Sequence, residues 1–110
     1  MGGSAKSASG RQVSHPLIIR PEAEDDLAEA RDWYDAQRDG LGLEFLAAVE
    51  DVFDRVRATP ELYAGEYKGI RRTVTNRFPY VVYYRLLVES VEVIAVLHGS
   101  RSSRLWRGRA

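Results

Sequence analysis

Two β-rich runs lie back to back near the C-terminus: Tyr80-Val-Val-Tyr-Tyr-Arg-Leu-Leu87 and Val91-Glu-Val-Ile-Ala-Val-Leu-His98, separated only by Val88-Glu89-Ser90. A connection this short joins antiparallel strands, because a parallel pair needs a crossover of about a dozen residues or more. Both runs carry apolar residues at odd and even positions, Val81 against Val82, and Ile94 and Val96 against Val93, Ala95 and Leu97. Strands that are apolar on two sides belong to a sheet covered on both faces. The rest of the chain must therefore supply cover.

The segments upstream supply it for one face. Pro16-Leu-Ile-Ile-Arg20 reads as a short first strand, closed by Pro21. Proline is well placed in the first turn of a helix, and Glu22, Glu24, Asp25 and Asp26 complement the positive end of the helix dipole. Ala23, Leu27, Ala30 and Tyr34, widened by Trp33, give one apolar face to a helix from Pro21 to Gln37. Gly40 breaks the pattern. A second helix from Leu41 to Ala58 follows, with Phe45, Leu46, Val49, Val52, Phe53 and Val56 as its stripe, and Thr59-Pro60 stops it. A few residues between two amphipathic helices predict an antiparallel αα-hairpin. Leu62–Gly69 reads as a loop and Ile70–Asn76 as a strand, with Pro79 between it and the next. The predicted fold is α+β in the order β-α-α-β-β-β: an N-terminal strand, a two-helix hairpin and a three-stranded antiparallel meander. Leu105 and Trp106 are enough to pin a short C-terminal helix or tail back onto the sheet. Residues 1–15, rich in Gly, Ser and Ala, read as a flexible tail, and residues 16–110 as a single domain. Two helices cover one face of a four-stranded sheet. The other is expected to leave an apolar patch, the mark of a protein partner, at Val81, Tyr83, Arg85, Ile94, Val96 and Trp106.

The net charge is zero, but it is segregated. Pro21–Glu61 holds 13 acidic residues against 4 arginines, and Leu62–Ala110 holds 3 acidic residues against 9 basic ones. The C-terminal half is thus suited to an anionic partner, with Arg101, Arg104, Arg107 and Arg109 as a basic flank. The plainer reading is acidic helices solvating one side and basic strands the other. There is no cysteine, no apolar run long enough to span a bilayer and no apolar signal segment at the N-terminus, which predicts a cytoplasmic protein without membrane contact. With two histidines and no thiol, neither a metal site nor any cofactor is expected; no phosphate-cradling glycine loop is present.

What remains for chemistry is basic and aromatic. Strand alternation places Val81, Tyr83 and Arg85 on one face and Tyr80, Val82, Tyr84 and Leu86 on the other. If the second set faces the helices, Tyr83 and Arg85 face outward. Arg71 and Arg77 join them if the registers match, and His98 and Arg101 arrive at the edge. Arginines with tyrosines on an open sheet suit RNA or phosphate, and an Arg–His set suits a pentavalent phosphate and its leaving oxygen. The alternative is arginines stacked on surface tyrosines, with His98 merely ending a strand.

The sequence resembles the RelE/ParE superfamily of bacterial toxins, in its ParE-like branch. The carrying residues are Pro21-Glu-Ala with Asp26-Leu27 and Trp33-Tyr34; Gly42 and Phe45-Leu46; Pro60, Gly65 and Ile70-Arg71. The most specific are Arg77-Phe-Pro-Tyr-Val-Val-Tyr-Tyr-Arg85 and Val96-Leu-His-Gly-Ser-Arg101, with Trp106-Arg107 closing. The resemblance spans about Leu17 to Arg107. It implies the toxin half of a type II toxin–antitoxin pair, a growth inhibitor neutralised by a cognate antitoxin that would cover the open apolar face. ParE-like members inhibit DNA gyrase; RelE-like members cleave mRNA on the ribosome without metal. This chain departs from the RelE-like pattern, since Lys68 lies before the central sheet and Trp106 stands where some nucleases carry a tyrosine after the histidine. The expectation is a target bound rather than cut, gyrase first, with no direct DNA readout. Cleavage of mRNA, with Arg71, Arg77, Arg85, His98 and Arg101 as its residues, and an inactive binding module remain the alternatives.

Overall fold

The structure, a computed structural model, describes residues 15–63, 65–100 and 103–109. Strand β1 (Leu17–Ile19) leads into helix α1 (Pro21–Gln37) and helix α2 (Leu41–Ala58), followed by a 3-10 turn (Pro60–Leu62). Strands β2 (Gly65–Tyr67), β3 (Ile70–Val74), β4 (Tyr80–Leu86) and β5 (Val91–His98) follow, and helix α3 (Ser103–Arg107) ends the described chain. The sheet order is β1-β5-β4-β3-β2, with β1 parallel to β5 and every other pairing antiparallel. Among the described residues, no helix is long and apolar enough to cross a membrane.

Both helices occupy the expected ranges. Pro21 opens α1 at its first turn, and Gly40, at φ 87°, starts α2 from a left-handed conformation that glycine adopts without a Cβ clash. The two helices meet at Gly42, whose N–H donates to Asp35 Oδ1 at 2.7 Å; a Cβ there would lie 2.6 Å from the Arg31 carbonyl oxygen. Their apolar faces bury Ala23, Ala30, Phe45, Val49, Val52 and Val56 against Val82, Tyr84, Val91, Val93 and Val96 of the sheet. Of the expected tail, residues 1–14 lie outside the described residues. His15 is tied to the end of α2, its N–H donating to the Arg57 carbonyl at 3.1 Å.

The sheet differs from expectation in two ways. The segment read as a loop contains β2, a fifth strand joined to β3 by the two-residue turn Lys68-Gly69. Both residues sit at positive φ, 51° and 77°, the left-handed pair that matches the twist of a hairpin. The second difference is a bulge in β5. Tyr83 is opposite Ala95 and Tyr84 is opposite Val93, so Ile94 is an extra residue. The bulge resets the alternation. Ile94, Ala95 and Leu97 turn to the face away from α1 and α2, whereas Val96 turns to the helices. Val96, expected on the partner face with Ile94, is a core residue.

Candidate functional site

The face of the sheet away from α1 and α2 is the first candidate, and it is not open. Ile70, Val81, Tyr83, Ile94, Ala95 and Leu97 form a second apolar cluster closed by Trp106 of α3, and all seven are buried. The Trp106 ring stacks on Tyr83 at 4.6 Å and 15°, and meets Tyr67 edge-on at 6.1 Å. The chain covers its own second face. Val81, Tyr83, Ile94 and Trp106, read as an exposed partner patch, form the inside of that cover. The sequence carried the signal in Leu105-Trp106, but alternation cannot say how much of a face a five-residue helix seals.

The basic residues proposed for phosphate chemistry do not converge. Arg71 lies opposite Tyr84, on the helix side of the sheet, and donates to the carbonyls of Tyr63 at 2.7 Å and Glu61 at 3.2 Å. Arg77 sits in the turn before β4 at φ 71° and reaches α2, pairing with Glu44 at 2.9 Å. The Arg77 and Arg38 guanidiniums hold the Glu44 carboxyl below its ordinary pKa. Arg85 is half-buried and pairs with Glu92 at 3.3 Å. His98 lies at the other end of the β4–β5 hairpin, opposite Tyr80. Its Nδ1 accepts the Ser100 backbone N–H at 3.0 Å, with Ser100 Oγ at 2.8 Å. A nitrogen that accepts from a backbone amide carries no proton, so the neutral ring has its proton on Nε2. Tyr84 is wholly buried; its hydroxyl donates to the Pro60 carbonyl at 2.6 Å, and burial pushes its pKa up to about 12.

The expected basic flank divides. Arg109 turns inward and forms a bidentate pair with Asp26 at 2.7 and 3.2 Å. Arg107 stays exposed, its guanidinium over the rings of Tyr67 at 5.1 Å and Trp106 at 5.3 Å. Arg101 and the side chain of Arg104 lie outside the described residues. Among the described residues, no group of three His, Cys, Asp or Glu is placed to hold a metal ion.

A groove that the sequence did not announce runs between α1 and the start of β4. It encloses about 430 Å³ and is lined by Glu29, Ala30, Trp33, Tyr34, Pro79, Tyr80 and His98. Trp33, read as part of the core face of α1, is 58% exposed at its rim. The edge of β5 opens toward it. Gly99 donates to the Pro79 carbonyl, so Gly99, Leu97 and Ala95 address β4, while Val96 and His98 address the other edge. There β1 has already ended, and Asp26 takes the Val96 N–H at 3.0 Å.

The comparisons with known proteins agree on what kind of chain this is. Residues 17–103 match the family model described as the ParE toxin of the type II toxin–antitoxin system parDE. Toxin ParE2 of Mycobacterium tuberculosis, in strains CDC 1551 / Oshkosh and ATCC 25618 / H37Rv, is 35% identical over 88 residues, which cover 79% of this chain and 84% of that protein. A solved chain of the chromosomal ParDE TA system from P. aeruginosa superposes with a TM-score of 0.69 at 17% identity, covering 77% of this chain and 96% of that one, a likeness of fold. The chain belongs to the ParE toxin family of type II toxin–antitoxin systems.

Proposed function

We propose that this ParE-family toxin arrests growth by binding DNA gyrase, and that a cognate antitoxin neutralises it. The observation that carries binding over cutting is the dispersal of the basic residues. Arg71, Arg77, Arg85 and His98 are each engaged by a different local partner, on two faces and at both ends of the hairpin. A metal-independent nuclease needs its acid, base and phosphate-stabilising cations around one scissile bond. We assign the antitoxin to the α1–β4 groove, because it pairs an exposed tryptophan with the His98 end of β5, beyond the reach of β1, and aromatic anchors in pockets carry most interface energy.

The test is gyrase supercoiling in the presence of the purified chain. Inhibition is expected, retained in His98→Ala and relieved by adding the antitoxin. Unaltered supercoiling at large toxin excess, or codon-positioned mRNA cuts in arrested cells that vanish in His98→Ala, would overturn the reading. Trp33→Ala is expected to weaken neutralisation more than ten-fold while toxicity persists; full neutralisation of that variant removes the groove assignment.

A further inference from the structure

Lys68, Arg72 and Arg107 are exposed, and among the described residues none of them has a carboxylate partner. This sets them apart from Arg20, Arg31, Arg38, Arg77, Arg85 and Arg109, which all have one. The three cations are instead held on rings. Arg72 lies over Tyr83 at 5.7 Å, Arg107 over Tyr67 and Trp106, and Lys68 over Tyr67 at 5.4 Å. The rings themselves are in contact, Tyr83 on Trp106 and Trp106 on Tyr67. Three elements, the β2–β3 turn, β3 and α3, thus set around one aromatic stack three charges that no carboxylate among the described residues neutralises.

We infer that this patch binds the phosphodiester backbone of duplex DNA, without reading its sequence. Three features of the patch select that ligand. A protein partner would need an apolar centre to desolvate, but Tyr83 and Trp106 are 5% and 2% exposed and lie beneath the guanidiniums. A single strand would need open ring faces for its unstacked bases, and the same cover denies them. A duplex keeps its bases stacked and presents phosphates, for which guanidinium is the matching fork donor. The rest of the molecule favours that approach. Glu24, Asp25, Asp32 and Asp35 on α1 and Glu50, Asp51 and Asp54 on α2 are exposed on the helical layer, across the sheet from the patch, so the field turns the basic side toward a polyanion. The inference rests on the gyrase reading for its biological setting, since gyrase works on duplex DNA, but its physical content does not require gyrase.

The experiment is fluorescence anisotropy of the full chain with a labelled mixed-sequence duplex, without gyrase, across a salt series. Three phosphate contacts predict a slope of log affinity against log salt of about −2.7, reduced by about 0.9 for each of Lys68→Gln, Arg72→Gln and Arg107→Gln. The triple variant, with its fold checked by circular dichroism, is expected to lose the salt dependence, and unlabelled single strand is expected to compete no better per phosphate than duplex. Absence of duplex binding at low salt, an unchanged slope in the triple variant, or displacement by polyglutamate as effective as displacement by DNA would each overturn the inference; the last would make the patch a docking surface for an acidic polypeptide. Supercoiling inhibition measured separately reports on the gyrase reading, so the two can fail independently.

Discussion

Asp26 and Arg109 are 83 positions apart, and their side chains close the fold. The guanidinium makes two hydrogen bonds to the carboxylate and a third, at 3.1 Å, to the Ile94 carbonyl, while Asp26 also accepts the Val96 N–H. One ion pair thereby satisfies both a donor and an acceptor on the part of β5 that β1 is too short to reach. It also anchors the chain just beyond α3, the helix whose Trp106 seals the second face.

Arg109→Met should therefore cost more than a surface ion pair. Its side chain is 18% exposed and that of Asp26 only 9%, so the loss leaves a largely desolvated carboxylate. The expected destabilisation is about 2–4 kcal/mol in urea unfolding, against less than about 1 kcal/mol for the exposed Arg31–Asp32 pair. A double-mutant cycle with Asp26→Asn should show coupling above about 1 kcal/mol. Additive single effects would mean that the pair forms without holding the tail.

How much of this was legible depends on where the signals lie. The limits of α1 and α2 follow from Pro21, Gly40 and Thr59-Pro60, residues whose backbone limits are intrinsic and do not depend on distant contacts. The bulge at Ile94 leaves no such mark, because Val93, Ile94, Ala95, Val96 and Leu97 are all apolar and any register looks acceptable. Strand β2 was hidden because Lys68-Gly69 is not among the most familiar hairpin pairs. The site suffered most. Alternation correctly put Tyr83 and Arg85 on the face away from α1 and α2, but nothing local to them tells that Trp106 lies on one and Glu92 beside the other. Nor does Trp33, three positions after Ala30 and next to Tyr34, declare that it faces solvent.

Trp106→Ala tests the cover directly. The ring is 2% exposed and stacked on Tyr83, so its removal should cost about 3–5 kcal/mol and expose Val81, Tyr83, Ile94 and Leu97. Increased binding of a hydrophobic dye to the still-folded variant is expected. Unchanged stability would show that α3 does not rest on the sheet in solution.

Gly42→Ala probes the helix hairpin. A methyl group there would sit 2.6 Å from the Arg31 carbonyl oxygen and 2.8 Å from Asp35 Cγ, and the first of these is backbone that cannot swing aside. The helices must separate locally, at a cost of about 1–3 kcal/mol, seen as a lower urea midpoint with an unchanged slope. Alanine's better helix propensity offsets less than about 1 kcal/mol of that.

Tyr84→Phe separates a hydrogen bond from its packing. The ring stays, the Pro60 carbonyl loses its donor, and a loss of about 1 kcal/mol is expected at neutral pH. The pH dependence has a defined sign. Burial raises the hydroxyl from 10.0 to about 12 in the folded chain. A raised pKa means that the folded state holds the proton more tightly, so this contribution is complete below pH 10 and is lost as pH rises toward 12. The wild type should therefore lose stability faster than Tyr84→Phe across that window, and parallel alkaline limbs would show the hydroxyl to be hydrated.

Glu44 supplies the opposite sign at the acid end. Its carboxyl receives hydrogen bonds from Arg77, chiefly, and Arg38, and its pKa lies below the ordinary value of 4.5. A depressed pKa gives stability that is present above the unfolded value and lost as pH falls through the folded one. Side-chain carboxyl NMR should place the Glu44 midpoint below 4.5, moving up in Arg77→Gln, with Arg38 holding the remainder of the shift. That variant also isolates the role of Arg77. If Arg77 serves to tie the turn before β4 to α2, supercoiling inhibition survives the substitution while the Glu44 midpoint moves; loss of inhibition with a native Glu44 midpoint would make Arg77 a contact to the target.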